Sequence, residues 1–252
     1  MIDTSANLVI SKSNEVFLKI NTEPHIEYEL RDHFKFEVPN AKFMPQYRGR
    51  NWNGEIHLFD MRSKQIYVGL LDKLVNFCKQ YGYTYKFEDN KFYGTPYEEN
   101  EEISFEGVKD YMHSICAHTP RKYQIEGVYG ALKHNRKLLI SPTASGKSLM
   151  IYSLVRYYEN QGQKILLVVP TTSLVEQMYK DFLDYGWDAD SYCHRIYSGR
   201  EKHSDAPVTI TTWQSIYKLE RSWFEDYNVV IGDEAHLFKS KSLIAIMTKL
   251  HH

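Results

Sequence analysis

The stretch Ser141-Pro-Thr-Ala-Ser-Gly-Lys-Ser148 decides the fold of the second half of the chain. The apolar run at 137–140 before it has the length of a strand, and residues 147–160 have the periodicity of a helix. Further strands are predicted at Lys164–Val169, Arg195–Tyr197, Val208–Thr211 and Val229–Ile231, with helices at Lys122–His134 and Thr172–Tyr185. Strands that alternate with helices predict an α/β fold, a mostly parallel sheet with helices on both faces.

The turn itself has the composition of a phosphate-binding loop. It fits the pattern G-x-x-x-x-G-K-[ST], except that Ser141 replaces the first Gly. Backbone N–H groups along such a turn, together with the helix N-terminus, attract anions. The predicted nucleotide contacts are Thr143, Ala144, Ser145, Gly146, Lys147 and Ser148. A Gly helix cap beside a surface Lys is the alternative, which the predicted strand and helix on either side disfavour.

A second polar group follows the apolar run Val229–Ile231. Asp233 and Glu234 stand where that strand would deliver them to the carboxyl edge of the sheet, beside the turn. One carboxylate, with the Ser148 hydroxyl, could hold Mg²⁺, and the other could orient or deprotonate a water. Taken alone, the two acids would indicate only a solvated strand end. With Lys147 upstream, we expect a site that binds ATP and Mg²⁺.

The first half of the chain predicts a small α+β domain. Apolar residues favour a helix from Pro24 to about Phe36 and another from Leu70 to Gly82. Strands are predicted at Val16–Asn21, Glu55–Asp60, Gln65–Val68 and Tyr83–Phe87. We expect this domain to span residues 1–95, an acidic linker with a short helix to span 96–119, and the phosphate-binding domain to span 120–252.

Composition and charge exclude several classes of protein. Residues 1–115 hold 14 Lys and Arg against 18 Asp and Glu, and residues 116–252 hold 17 against 14. Nucleic-acid binding would therefore depend on local patches. The three cysteines have no metal-ligand spacing, and neither a signal peptide nor a membrane span is visible. We expect a cytoplasmic protein without a membrane partner, in the host cell if the protein is viral.

Several blocks resemble superfamily 2 helicases in the order of that superfamily. Asp233-Glu-Ala-His236 resembles the DEAH form of motif II, and Pro142–Ser148 resembles motif I. Arg121-Lys-Tyr-Gln124 resembles the region where a Gln recognises adenine. Blocks that begin at Val168, Tyr197 and Thr209 are similar to the motifs that contact nucleic acid. The resemblance implies a RecA-like domain, catalytic roles for Lys147, Asp233, Glu234 and His236, and adenine contacts from Arg121 and Gln124.

A narrower resemblance covers nearly the whole chain. Phe43–Asp60, with Asn-Trp-Asn-Gly at 51–54, resembles the UvsW recombination helicase family of T-even-like bacteriophages, in which Asp is usual at position 53. It implies an ATP-dependent helicase or branch-migration translocase that acts on recombination intermediates and stalled forks, with branched or forked DNA as partner. An RNA helicase or a restriction-type translocase is the alternative, as is a nucleic-acid-binding module whose ATP site is vestigial.

The resemblance also assigns DNA contacts. It implies phosphate contacts from hydroxyl and backbone groups of Thr171, Thr172, Ser198, Gly199, Thr211 and Thr212. Thr171 and Thr172 could instead cap a helix. In the small domain, Arg48 and Arg50 could hold phosphates and Trp52 could stack on an exposed base. A core position for Trp52, with solvated arginines, is an equal alternative.

The family pattern continues beyond what this sequence contains. Nothing from Leu237 to His252 provides motif III, and the second RecA-like domain with its arginine finger does not follow. Such an arginine is worth about 10³–10⁵ in rate. We therefore expect that the 252 residues alone bind nucleotide weakly and hydrolyse it poorly or not at all, and that the missing domain is their partner.

Overall fold

The computed structural model describes residues 6–88, 99–142, 144–197, 199–239 and 241–250. These residues divide into two compact units, one within residues 6–88 and the other within residues 99–250. Each unit has its own hydrophobic core. No helix in the described part of the chain is long and apolar enough to cross a membrane.

The first unit is built on a five-stranded sheet. In chain order its elements are β1 (Leu8–Lys12), β2 (Phe17–Thr22), α1 (Pro24–His33), β3 (Lys35–Glu37), α2 (Pro45–Arg48), β4 (Glu55–His57), β5 (Phe59–Asp60), β6 (Gln65–Tyr67), α3 (Leu71–Tyr81) and β7 (Tyr85–Phe87). The sheet has the order β5-β6-β2-β1-β7, in which only the β1–β7 pair is parallel. Alternate residues of β1 and β2 are fully buried with apolar residues of α1 and α3. The predicted small α+β domain is confirmed.

Residues 35–57, which we call the ribbon lobe, stand apart from this core. Strands β3 and β4 pair only with each other in the described residues, and no residue of the lobe belongs to the core cluster. Two predictions were therefore wrong. The first helix ends at His33, because the chain turns at Phe34 into β3. The predicted strand at Glu55–Asp60 is divided at Leu58, whose N–H donates to the Phe34 carbonyl at 2.7 Å.

The second unit alternates helices and strands. Its elements are α4 (Phe105–Ile115), α5 (Lys122–His134), α6 (Lys147–Glu159), β8 (Ile165–Val169), α7 (Thr172–Asp184), α8 (Ala189–Tyr192), β9 (Cys193–Ile196), β10 (Val208–Thr212), α9 (Trp213–Ile216), α10 (Arg221–Phe224), β11 (Val229–Gly232) and α11 (Lys241–Lys249). The four strands form a parallel sheet in the order β11-β8-β10-β9. The predicted mostly parallel sheet is confirmed.

Strand β8 shows how this sheet is buried on both faces. Ile165, Leu167 and Val169 pack against apolar side chains of α6 and α7. Leu166 and Val168 pack on the opposite face against residues of α9, α10 and α11. Burial on both faces explains why the strand is a continuous apolar run. The carboxyl ends of β8, β10 and β11 therefore share one edge of a rigid sheet.

The predicted strand at 137–140 is wrong, because these residues form no strand. Leu138 is 64% exposed and Ile140 is 93% exposed. The segment runs beside the glycines of α5: an added Cβ on Gly127 would lie 3.8 Å from Leu139 Cδ1, and one on Gly130 would lie 3.8 Å from Lys137 Cε. Two side-chain-free positions on the helix leave room for this close approach.

Candidate nucleotide site and nucleic-acid surfaces

The turn before α6 has the backbone of an anion site. Gly146 has φ +75° and Ala144 has φ +61°, so the chain passes twice through the left-handed region before the helix begins at Lys147. No side chain among the described residues caps this helix. The N–H of Leu149 donates to the Gly146 carbonyl at 3.2 Å, so the N–H groups of Lys147 and Ser148 are the ones at this helix start that can serve a phosphate. Thr143, a predicted contact, lies outside the described residues.

The turn is held from behind by helix α5. Gln124 is 5% exposed, and its Nε2 donates to the carbonyls of Ser145 at 3.0 Å and Gly146 at 3.3 Å. Its Oε1 accepts the N–H of Arg121 at 2.8 Å. The Tyr123 hydroxyl donates to the same Ser145 carbonyl at 2.7 Å. Both ends of the Gln124 amide are thus engaged with backbone, whereas the resemblance assigned this residue to adenine.

Gly146 is required by that arrangement. A Cβ at this position would lie 2.4 Å from Gln124 Nε2, closer than atoms can approach. The side chain that supports the turn therefore occupies the space beside Gly146, whose positive φ also favours glycine.

Lys147 meets the acidic residues that follow β11. Its Nζ lies 3.5 Å from Glu234 Oε1, and Glu234 Oε2 lies 3.2 Å from His236 Nδ1. Glu234 has φ +54°, which directs the chain sharply away from the strand end. Asp233 is anchored to the sheet, since its N–H donates to the Val168 carbonyl at 2.9 Å and its Oδ1 accepts the N–H of Glu234 at 2.9 Å. The structure thus brings together Lys147 and Glu234, which lie 87 positions apart in the sequence.

Ser148, the predicted second magnesium ligand, contacts helix α7. Its Oγ lies 3.0 Å from the Tyr185 hydroxyl. Burial raises the pKa of Tyr185 and the pKa of Asp181. A hydrogen bond with Ser148 offsets part of this rise in each pKa. The Tyr185 ring packs on Tyr152 at 5.0 Å and on His118 at 5.9 Å. Among the described residues, no group of three or more His, Cys, Asp or Glu is arranged to hold a metal ion.

The threonines at the strand ends differ in exposure. Thr171 and Thr172 are exposed, and Thr171 Oγ1 accepts the N–H of Leu174 at 3.3 Å as the cap of α7. Thr211 is fully buried and donates to the Ile196 carbonyl at 3.0 Å, and the Thr212 hydroxyl is 2.9 Å from Ser215 Oγ. The structure corrects the expectation that these last two hydroxyls reach DNA, because both are enclosed at the end of β10.

A polar cluster ties α7 to the loop after β9. Arg195 Nη1 lies 2.6 Å from Glu176 Oε2, and its guanidinium covers the Tyr179 ring at 3.8 Å. Arg200 lies 3.9 Å from Glu176 and 4.7 Å from the centre of the Tyr197 ring. A hydrogen bond from Tyr197, with the charges of Arg195 and Arg200, lowers the pKa of Glu176. Gly199 is exposed at φ +84°, and Ser198, another predicted contact, lies outside the described residues.

The ribbon lobe carries the predicted contacts of the first unit. Lys42, Arg48, Arg50 and Trp52 line a shallow cleft of about 750 Å³, together with Tyr47, Asn51 and Asn53. Trp52 is half-buried, and its indole N–H donates to the Glu55 carbonyl at 2.7 Å. The ring is therefore fixed in the wall of the cleft, outside the core of the unit.

Sequence reasoning missed three side chains that organise these sites. Tyr123 lies next to Gln124 in the same motif, so the motif itself offered a signal. Glu176 lies within the recognised block that begins at Val168, but its contact with Arg195 is visible only in the fold. Tyr185 gave no signal, because it lies at the far end of α7 and reaches Ser148 only through the packing of two helices.

Comparison with known proteins places both units. The family model described as "Type III restriction enzyme, res subunit" matches residues 117–252, and the model described as "DNA helicase UvsW, N-terminal" matches residues 11–88. The ATP-dependent DNA helicase uvsW of Enterobacteria phage T4 is 33% identical over 246 residues, which cover 93% of this chain and 48% of that protein. The chain thus spans about half the length of this relative.

Two further comparisons agree. The crystal structure of the UvsW helicase from bacteriophage T4 matches with a TM-score of 0.79 and 31% identity, over 97% of this chain and 88% of that one. The ATP-dependent DNA helicase Hel308 of Pyrococcus horikoshii is 30% identical over 121 residues, which are 44% of this chain and 17% of that protein. The second unit is thus a RecA-like domain of the superfamily 2 helicase class. The chain belongs to the UvsW helicase family.

Proposed function

We propose that this chain is the ATP-binding part of a DNA helicase or branch-migration translocase that remodels recombination intermediates and stalled forks. The observation that carries the proposal is the contact of Lys147 with Glu234 at 3.5 Å, beside an uncapped helix N-terminus. In this proposal residues 1–95 are an accessory DNA-binding domain, 96–119 are a linker, and 120–252 are the first motor domain. The motor would act in the cytoplasm of the host cell.

The residues at the sheet edge fit ATP and Mg²⁺. The first-turn N–H groups of α6 and the Lys147 ammonium suit phosphate, and the oxygens of Ser148 and Asp233 are ligands that Mg²⁺ prefers. Bound Mg²⁺ offsets the charge that develops on the transferred phosphoryl group. Lys147 would exchange its contact with Glu234 for the phosphates, and the freed carboxylate would orient the attacking water. His236, 3.2 Å from Glu234, would respond to that exchange.

DNA would lie along the carboxyl edge of the sheet and on the ribbon lobe. Thr171, Thr172 and Gly199 are exposed at that edge, and Glu176 fixes the α7 segment relative to the loop after β9. For Thr211 and Thr212 only the backbone is left as a possible donor. Arg48 and Arg50 would hold phosphates, which position a protein on DNA without reading its sequence.

The test of the proposal is ATP hydrolysis by the full-length protein. It would be measured without nucleic acid and with linear duplex, single-stranded DNA, RNA and a four-way junction. We expect the strongest stimulation by branched DNA. Stimulation by RNA alone would favour an RNA helicase, and none by any nucleic acid would favour a binding module.

Two variants control that measurement. Lys147→Ala should abolish hydrolysis with every nucleic acid. Lys109→Ala, on α4 in the same unit and 44% exposed, removes the same charge outside the site and should leave the rate unchanged. Equal losses in both variants would contradict the assigned role of Lys147.

The role of the ribbon lobe has a separate test. Arg48→Ala combined with Arg50→Ala should weaken binding to forked DNA and reduce the slope of log affinity against log salt by about 2, one for each lost phosphate contact. An unchanged affinity and an unchanged salt slope would rule out these two contacts.

A further inference from the structure

The ribbon lobe exposes an unusual amount of apolar surface. Fourteen large apolar side chains are exposed among the described residues, and five of them lie within its 23 residues. They are Phe36 at 46%, Phe43 at 60%, Met44 at 39%, Tyr47 at 41% and Ile56 at 41% exposed. A cluster of this kind on a soluble protein marks an interaction site rather than chance exposure.

These side chains are displayed by the local backbone. Phe36 and Ile56 are paired across β3 and β4, so both project from one face of the ribbon. Phe43 ends the short 3-10 turn Ala41–Phe43, and Met44 precedes α2, where it caps the helix without a side-chain hydrogen bond. Gly54 packs closely against this segment, since a Cβ there would lie 3.0 Å from Ala41 Cβ and 3.2 Å from a Tyr47 ring carbon.

The charges around this surface indicate what covers it. The lobe holds four Lys and Arg against two Asp and Glu, and Lys35 is paired with Glu55 at 3.3 Å. Lys42, Arg48 and Arg50 form no ion pair with any described residue, and Lys42 Nζ lies 5.3 Å from the centre of the Phe43 ring. An aromatic ring flanked by unpaired cations suits a base attached to its phosphates, since the ring can stack and the cations can neutralise.

We propose that Phe43 and Met44 form a wedge that inserts at the last base pair of a duplex, at the point where a forked DNA divides, and unstacks its bases. Apolar side chains such as Phe and Met unstack base steps when they insert between them. Lys42, Arg48 and Arg50 hold the phosphates of the strands that flank this point. The inference rests on the proposed function and assigns its DNA structure: a duplex end that adjoins single strands.

The test uses the 252-residue chain and a forked DNA with 2-aminopurine in the base pair next to the fork. Unstacking of that base raises its fluorescence, whereas the same probe in the middle of the duplex should not respond. Phe43→Ala combined with Met44→Ala should abolish the rise and lower the affinity for the fork by about 10-fold, toward that for blunt duplex. Phe43→Trp, which restores an aromatic face, should retain the signal.

Tyr28→Ala is the matched control, because Tyr28 lies in the same unit and is 62% exposed. It should change neither the fluorescence nor the affinity. The circular dichroism of all variants should equal that of the parent chain, since the changed side chains lie outside the core. An altered spectrum in the double variant moves the comparison to Phe43→Gln combined with Met44→Gln, which keeps much of the side-chain bulk but removes both apolar faces and should lose the signal.

The outcomes separate the wedge from the DNA-binding role. If the parent chain binds forked DNA without a rise in fluorescence, or if the double variant keeps the rise, the wedge is overturned and DNA binding stands. If the parent chain binds no DNA, both proposals for the lobe fail. If Phe43→Ala with Met44→Ala instead dissolves a dimer of the parent chain, the surface joins two copies and the wedge is overturned.

Discussion

The proposed nucleotide edge of the second unit, formed by residues 141–148 and 233–236, and the ribbon lobe of the first hold their proposed functional side chains in opposite ways. Asp233 and Glu234 follow a strand paired with β8, whose residues are at most 2% exposed. Phe43, Arg48 and Arg50 lie on a segment that contributes nothing to a core. At the edge, the packing that stabilises the sheet also fixes the site. In the lobe, short turns and the pairing of β3 with β4 shape the surface, without support from the hydrophobic core.

This difference separates the expected effects of substitution. At the nucleotide edge, a change that disturbs the site should disturb the fold, since the same hydrogen bonds serve both. In the lobe, a change that removes DNA affinity should leave nucleotide binding and most of the stability intact. Glycines with positive φ in each region allow this contrast to be tested with one type of substitution.

Gly146→Ala should have the largest effect. Its Cβ would meet Gln124 Nε2 at 2.4 Å, so either the turn or the Gln124 amide that holds it must shift. We expect ATP hydrolysis by the full-length protein to fall on the order of 100-fold, as a displacement of about 1 Å in such a site can cause.

Gly162→Ala is its control, since Gly162 has φ +72° and no atom within 4 Å of an added Cβ. It should lower the free energy of unfolding by about 1–2 kcal/mol from φ alone and leave hydrolysis unchanged. If both variants lost activity equally, backbone strain rather than the contact with Gln124 would be responsible.

Gly54→Ala should distort the ribbon lobe without affecting nucleotide binding by the second unit. Gly54 has φ +86°, and its Cβ would meet Ala41 Cβ at 3.0 Å and the Tyr47 ring at 3.2 Å. We expect several-fold weaker binding of forked DNA, measured by fluorescence anisotropy, with nucleotide affinity unchanged. Gly82→Ala, with φ +73° and open space, should cost about 1–2 kcal/mol of stability without affecting DNA. A loss of nucleotide affinity in Gly54→Ala would contradict the independence of the two regions.

Tyr185→Phe should have a moderate effect on metal dependence. It removes the hydroxyl that lies 3.0 Å from Ser148 Oγ. Loss of one such hydrogen bond costs about 1 kcal/mol, so the Mg²⁺ concentration for half-maximal hydrolysis should rise about fivefold. Tyr192→Phe, at an exposed position of α8, is the control. An identical magnesium dependence in parent and Tyr185→Phe would show that Tyr185 does not position Ser148.

Glu176→Gln should give the smallest effect, and one that depends on pH. The pKa of Glu176 lies below its ordinary value of 4.5, so its stabilising contacts are present above that value and are lost as pH falls through the lowered pKa. The difference in unfolding free energy between parent and variant should therefore be constant near neutral pH and shrink below about pH 4.5. A difference that does not change between pH 7 and pH 3 would mean that the charge of Glu176 contributes nothing.

The sequence predicted for a physical reason that the turn at 141–148 and the acids at 233–234 lie close together, as the contact between Lys147 and Glu234 shows. The turn at 141–148 and the acids at 233–234 are each local patterns attached to a strand or helix end, and parallel strands bring such ends to one edge. The boundaries of α5 and β11 were also predicted within one residue, because the apolar pattern of each element ends at its boundary.

Other features depended on contacts that no local pattern contains. The run at 137–140 is as apolar as a strand, but its neighbours are the glycines of α5. In the sequence, Thr211 resembles an exposed hydroxyl at a strand end. In the structure β9 pairs beside it, and the Ile196 carbonyl accepts a hydrogen bond from the Thr211 hydroxyl. The sequence predicted no separate lobe within residues 1–95, because local alternation does not reveal that β3 and β4 pair only with each other in the described residues.

The central claim is that ATP is hydrolysed at the sheet edge and that Arg48 and Arg50 of the ribbon lobe contribute to DNA binding alone. The most direct test is the dependence of ATP hydrolysis by the full-length protein on the concentration of forked DNA, with and without Arg48→Ala and Arg50→Ala. The account predicts that the variant needs several-fold more DNA for half-maximal stimulation but reaches the same kcat at saturation, because only binding is weakened. A lower kcat at saturating DNA, with an unchanged half-saturation concentration, would contradict it.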